Sequence, residues 1–300
     1  MRPFNGPKGG PLLAAGVLLM LQVLLDLGLA AAVVPPWWRA AEADRSLGER
    51  LAGVVRSAAG NVRPCPWLAT GAGARPLVLL VLGQSNAANH GGEEGPPAAG
   101  GTPSVTVFDG QVCRRVSDPL PGGTGAHHAI WMQLEAALAH AGEPREVVVH
   151  LLAVDSTSID DWTREGSPLR ALLDQHLQAV GAGRMPVDFV LWQHGESDAR
   201  LGTTAARYGA GFESLRGRLR QAGVGAPIVA ALSTRCGSPG AGAQVRRAVE
   251  DLVAAHNDVL LGPDTDTLPG PLRNQDCHFT AAGLQAAAGL WALALAPRLP

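Results

Sequence analysis

Apolar residues in this chain fall into short blocks separated by polar, glycine-rich and proline-rich stretches. Six blocks have the length of strands: Leu77–Leu82, Val105–Phe108, Glu146–Val154, Val187–Trp192, Pro227–Leu232 and Asp258–Leu261. Between and after them lie segments of helical length, at His127–His140, Pro168–Val180, Thr203–Ala222, Gly242–Ala255 and Ala281–Leu295. Strands that alternate with helices in this way predict an α/β fold, a parallel sheet covered on both faces. Gly91–Gly101 and Pro119–Gly125 read as loops, and no linker divides residues 76–300, which are expected to form one domain.

The block Pro76–Asn86, PLVLLVLGQSN, ends abruptly. An apolar run stops at Gly83-Gln84 and Ser85 follows at once. Ligands of open α/β sheets bind at the carboxyl ends of strands, so this serine stands where a nucleophile would. Two more strand ends carry polar groups. Trp192-Gln193-His194-Gly195-Glu196-Ser197-Asp198 closes one strand, and Asp155-Ser156 with the residues after it closes another. Asp276-Cys277-His278-Phe279 precedes the last helix, with Thr280 suited to cap it. A serine needs a base to take its proton and a carboxylate to orient the imidazole; Ser85, His278 and Asp276 supply those types.

The amino terminus has a different pattern. Arg2 and Lys8 precede an apolar stretch over residues 11–34, interrupted by Asp26. A positive segment before an apolar run is an export signal or a membrane anchor, and the stretch matches the about 20 residues that span a bilayer. The fully apolar part, Pro11–Leu25, suits a signal peptide with Ala30-Ala31-Ala32 near its cleavage point; the whole stretch suits an anchor. Either places the remainder outside the cytoplasm, secreted or attached to the membrane through residues 11–34 if these are not removed. Residues 35–75, with a helix expected over Ala41–Ala59, read as a stalk or a packed prelude to the domain.

Composition narrows the function classes. The net charge of −2 gives no basic face for nucleic acid, and 46% hydrophobic residues suffice for a large core. Four cysteines in an exported chain read as disulfides. Of the three possible pairings, Cys236–Cys277 is favoured because both lie at strand ends on one edge of the sheet, which leaves Cys65–Cys113; four reduced thiols are the alternative. No Cys/His spacing argues for zinc, and neither metal nor cofactor is implied.

Gly83-Gln84-Ser85-Asn86, Trp192–Asp198 and Asp276–Phe279, in that order, resemble the sialate O-acetylesterase and acetylxylan esterase branch of the SGNH hydrolases. The resemblance spans about residues 76–296. It implies a flavodoxin-like three-layer α/β/α fold and metal-free hydrolysis of acetyl esters, commonly on carbohydrates. By that resemblance Ser85 is the nucleophile and His278 the general base. Backbone N–H groups of Ser85 and Ser156, with a side-chain donor from Gln193 or His194, form the oxyanion site. Gly83, Gln84, Asn86, Gly195 and Glu196 hold the loops.

The chain departs from the family pattern in three places. His194 stands where glutamine is usual, and Asp155-Ser156 replaces a Gly-Gly pair. The position three before His278 is Gln275, so the acid is Asp276, two before it. The leading expectation is a serine esterase that deacetylates a carbohydrate through an acyl-enzyme. The alternatives are a carbohydrate-binding protein that has lost the chemistry, and a transferase that passes acetyl groups to a surface glycan.

Overall fold

The structure is a computed structural model and describes residues 36–56, 60–68, 75–92, 104–237 and 242–299. The expected signal or anchor over residues 11–34 lies outside these residues. Among the described residues no helix is long and apolar enough to cross a membrane. The chain divides into two compact units, residues 1–46 and 47–300, and the second contains every described strand.

Eight strands form the main sheet: β1 (Gly60–Arg63), β2 (Leu77–Gly83), β3 (Val105–Phe108), β4 (Cys113–Val116), β5 (Val147–Ala153), β6 (Phe189–Gln193), β7 (Ile228–Leu232) and β8 (Val259–Asp264). Their spatial order is β1-β4-β3-β5-β2-β6-β7-β8. From β3 to β8 every neighbouring pair is parallel, while β4 and β1 are added antiparallel at one edge. The five strands β5-β2-β6-β7-β8 run in the flavodoxin-like order, whose ligand crevice opens between the first and third strands in sequence, here β2 and β6.

Strand β2 is buried at every position, which is why its sequence is continuously apolar rather than alternating. Val78, Leu80 and Leu82 face one layer and Leu77, Leu79 and Val81 the other. Each of these side chains contributes about 1.5–3 kcal/mol by burial. After α1 (Pro36–Ala52), α2 (Leu134–His140) and α3 (Ile159–Thr163) come α4 (Pro168–Ala182), α5 (Glu196–Leu201), α6 (Ala205–Gln221), α7 (Ala243–Ala255) and α8 (Ala281–Leu295). Leu173, Phe212 and Val249, from α4, α6 and α7, cover the first face. Leu138 and Trp291, from α2 and α8, cover the second.

Several elements differ from expectation. The helix expected over His127–His140 begins later, with a 3₁₀ turn at Ile130–Gln133 before α2. Asp118 explains the delay: its carboxylate binds His128 Nδ1 at 2.9 Å and the Ala129 N–H at 3.2 Å, pinning the preceding backbone in extended form. The early helix spans Pro36–Ala52 rather than Ala41–Ala59. Of the two readings for residues 35–75, the packed prelude fits the residues from Leu47 onward. Leu47 is fully buried, β1 joins the sheet, and Cys65–Cys113 ties this segment to β4. The second disulfide is Cys236–Cys277, so both pairings are the favoured ones. They fit an oxidising compartment outside the cytoplasm.

Candidate active site

Ser85 opens a 3₁₀ turn, Ser85–Ala87, directly after β2. Gly83 makes that exit possible: a Cβ there would sit 2.2 Å from the Gln193 carbonyl oxygen. Gly195, at φ 144°, performs the same service after β6, where a Cβ would meet the Ser233 carbonyl oxygen at 2.6 Å. The two close approaches bring the Ser85 turn and the start of α5 together at the crevice.

Glu196, the first residue of α5, is buried, and three donors converge on its carboxylate. Asn86 Nδ2 and Ser233 Oγ donate to Oε1, each at 2.7 Å. Gln84 Nε2 donates to Oε2. Residues on both sides of Ser85 are thereby tied to one acceptor. Burial pushes the Glu196 carboxyl up, against the lowering effect of its hydrogen bonds to Asn86 and Ser233.

A small hairpin carries His278. Strands β9 (Arg273–Asn274) and β10 (His278–Phe279) pair antiparallel, with Asn274 opposite His278. Gln275 and Asp276 both adopt positive φ, 49° and 57°, and the Cys277 N–H closes onto the Asn274 carbonyl at 2.9 Å. Two consecutive left-handed residues are the geometry of a type I′ turn, normally filled by Asn and Gly, so the backbone is held in a costly conformation. Two cross-links hold it. Arg235 Nε donates to Asp276 Oδ1 at 2.8 Å, and the adjacent Cys236 is bonded to Cys277. The Asn86 amide also reaches the Cys277 carbonyl, at 3.4 Å.

Ser85, Ser156, Glu196 and His278 line one cleft of about 360 Å³. Ser156 contributes a backbone at φ 56°, a left-handed position that explains why glycine is usual there. His90 packs beside His278, with ring centroids 5.3 Å apart. Thr124 Oγ1 lies 3.2 Å from His90 Nε2 and also accepts the Asp155 N–H at 3.0 Å. Larger clefts of about 630 and 620 Å³ lie beside His176 and Arg246, but neither sets a hydroxyl next to a histidine.

Two expected oxyanion donors stand elsewhere. Gln193 and His194 both lie outside the cleft, because side chains at a strand end alternate between the two faces of the sheet. Gln193 turns toward α8: its Nε2 donates to Ser233 Oγ at 2.6 Å, and its Oε1 accepts from Trp291 Nε1 at 3.1 Å. Its amide is committed and not available to an oxyanion. His194 is fully buried on the opposite face, stacked on Trp192 at 4.5 Å and 3.3 Å from the Tyr208 hydroxyl. Burial pushes its pKa down to about 3, so it is a neutral core residue. The Asp276 carboxylate is held by Arg235, whose Nε donates to its Oδ1.

Sequence patterns did not reveal Arg235, Ser233 or Asn274 as parts of the site. The first two come after β7, in a stretch that matched no motif. Asn274 was hidden by the hairpin, which its turn residues do not announce.

Residues 76–295 match the carbohydrate esterase family of sialic acid-specific acetylesterases. No curated protein matches the chain. Among solved structures, the fold is similar to a protein from Arabidopsis thaliana, at 21% identity and a TM-score of 0.58, over 75% of this chain and 100% of that one. It is also similar to a carbohydrate acetylesterase from Xanthomonas citri, at 19% identity and a TM-score of 0.51, over 73% of this chain and 55% of that one. NanS aligns at 13% identity with a TM-score of 0.50, over 74% of this chain and 96% of its own.

Proposed function

The chain belongs to the sialic acid-specific acetylesterase family of carbohydrate esterases, and from that premise we propose that it removes O-acetyl groups from a carbohydrate through an acyl-enzyme on Ser85. The protein is a carboxylic ester hydrolase by family; the nucleophile, the mechanism and the acyl and alcohol halves of the substrate are our reading. The observation that carries it is the convergence of Ser85, Ser156 and His278 on one cleft at the crevice between β2 and β6.

In this reading His278 takes the Ser85 proton as Oγ attacks the ester carbonyl. The carbonyl oxygen becomes an oxyanion and accepts from the backbone N–H groups of Ser85 and Ser156. Ser85 begins a 3₁₀ turn, so its N–H has no acceptor within the turn. With Gln193 and His194 committed elsewhere, the oxyanion rests on these backbone donors. Collapse transfers the proton from His278 to the departing sugar oxygen and leaves acetyl on Ser85. Water, deprotonated by His278, then releases acetate. Asp276 acts on the imidazole as a nearby negative charge fixed by Arg235.

The reading extends to the remainder of the chain. The described residues 47–300 form the esterase unit, and residues 11–34 export it, as signal or anchor. Ser85→Ala tests the reading: hydrolysis of a chromogenic acetyl ester is lost while the melting temperature stays within a few degrees. Undiminished turnover by a folded Ser85→Ala protein would overturn it.

A further inference from the structure

The cleft has two unlike ends. Ser156, after β5, lies on one side of Ser85, and the backbone donors for the oxyanion are there. On the other side lie Arg200, after β6, Gly237, after β7, and the His278 hairpin, which the Cys236–Cys277 disulfide ties to the β7 exit. The imidazole that takes the serine proton must hand it to the departing alcohol oxygen. The histidine's side of Ser85 is therefore the side on which the alcohol half of the ester lies.

Asn274 stands on that side. It pairs with His278 across the hairpin and lines the same cleft. The amide NH₂ groups of Gln84 and Asn86 are both spent on Glu196. Asn274 Nδ2, by contrast, is shielded from solvent and has no hydrogen-bond partner among the described residues. Leaving a buried amide donor unsatisfied is unfavourable, and native proteins rarely do so without a reason. Arg200, which lines the same cleft, is exposed and makes no ion pair among the described residues, giving this end a second open donor.

We propose that Asn274 is a specificity-determining residue whose Nδ2–H donates to an oxygen of the sugar adjoining the scissile ester. The reserved donor recognises an oxygen-bearing alcohol and gains nothing from an aryl leaving group. This inference rests on Ser85 being the nucleophile, and it goes beyond that reading by assigning the alcohol subsite.

The test compares two esters in one variant. Asn274→Leu keeps the shape of the side chain and removes the donor. kcat/KM is measured for 4-nitrophenyl acetate and for whichever of an O-acetylated sialic acid and an acetylated xylo-oligosaccharide the wild-type protein turns over faster. The ratio of sugar ester to aryl ester is expected to fall about 10–100-fold, the range for one buried sugar oxygen left without its donor. The melting temperature should hold or rise, because an unpaired amide is replaced by an apolar group. An unchanged ratio would overturn the proposal, as would equal losses on both esters with a lowered melting temperature, the signature of a structural role. Ser85→Ala, assayed alongside, separates the two readings. If it still turns over both esters, the nucleophile assignment has failed and this proposal with it. If it is inactive while the Asn274→Leu ratio is unchanged, only the alcohol subsite has failed.

Discussion

Removing the Glu196 carboxylate should uncouple the nucleophile turn from the sheet. Three buried donors, on Gln84, Asn86 and Ser233, end on this one side chain. Glu196→Ala strands all three. At about 1–3 kcal/mol for each unsatisfied donor, and with some relaxation, the cost is roughly 3–6 kcal/mol. That is a large share of the ~5–15 kcal/mol by which a domain is usually stable, so partial unfolding is expected. Glu196→Gln is the gentler perturbation. Its single oxygen can occupy the Oε1 position and keep Asn86 and Ser233, which places its NH₂ against Gln84. The Gln84 Oε1 atom is buried without a partner, so rotation of that amide would let it accept from the new NH₂. The cost then falls to about 1–2 kcal/mol. The rotation shifts the turn before Ser85, and displacements of about 1 Å can cost on the order of 10²-fold in rate. Urea denaturation and hydrolysis of 4-nitrophenyl acetate read both quantities. The expected outcome is a folded Glu196→Gln protein with kcat reduced about 10–100-fold, beside a severely destabilised Glu196→Ala. An alanine variant within about 0.5 kcal/mol of wild type and fully active would refute the brace.

Two further outcomes rest on the same contacts. His194 is neutral in the fold, with burial holding its pKa at about 3 against an ordinary 6.5, so the unfolded chain gains a proton first as pH falls. Stability from this site is complete above pH 6.5 and is lost toward pH 3, on the order of 5 kcal/mol in all; Asp198, raised by burial to about 6, opposes the loss by taking up a proton in the folded state. His194→Phe should therefore flatten the acid limb of a melting-temperature profile, and a limb as steep as wild type would count against a neutral core histidine. The disulfides should differ in their effect on function. Cys236 and Cys277 flank the cleft, whereas Cys65 and Cys113 are buried away from it. Replacing either pair by serine should cost about 2–4 kcal/mol, but only the Cys236–Cys277 replacement should lower kcat at a temperature where both proteins stay folded; equal activities would contradict the hairpin clamp.

What the sequence disclosed depended on whether a feature was local. The β2 exit is a contiguous string, PLVLLVLGQSN, and its burial, its glycine and its serine can all be read along the chain. The same holds for α8, whose cap Thr280 accepts the Gly283 N–H at 3.1 Å. The aim of Gln193 and His194 was not legible, because a shift of one residue at a strand end exchanges the two faces of the sheet, and only the packing of Trp291 and Tyr208 decides which is which. The hairpin of Asn274–His278 was hidden because Gln275-Asp276 lacks the Asn-Gly signature of its turn. Its geometry is imposed by Arg235 and Cys236, some forty residues away in the chain. Strand β4, between β1 and β3, was missed for a related reason: Arg114 and Arg115 look like loop charge, yet Arg115 is paired with Glu135 at 2.6 Å.

The central claim is that Ser85 carries the acyl group. It is tested most directly by covalent capture: the protein is treated with a fluorophosphonate or a slowly deacylating ester, digested, and mapped by mass spectrometry. One adduct is expected, on the peptide containing Ser85, formed at the rate at which hydrolysis is lost and absent from Ser85→Ala. An adduct on another residue, or full loss of activity with Ser85 unmodified, would contradict it.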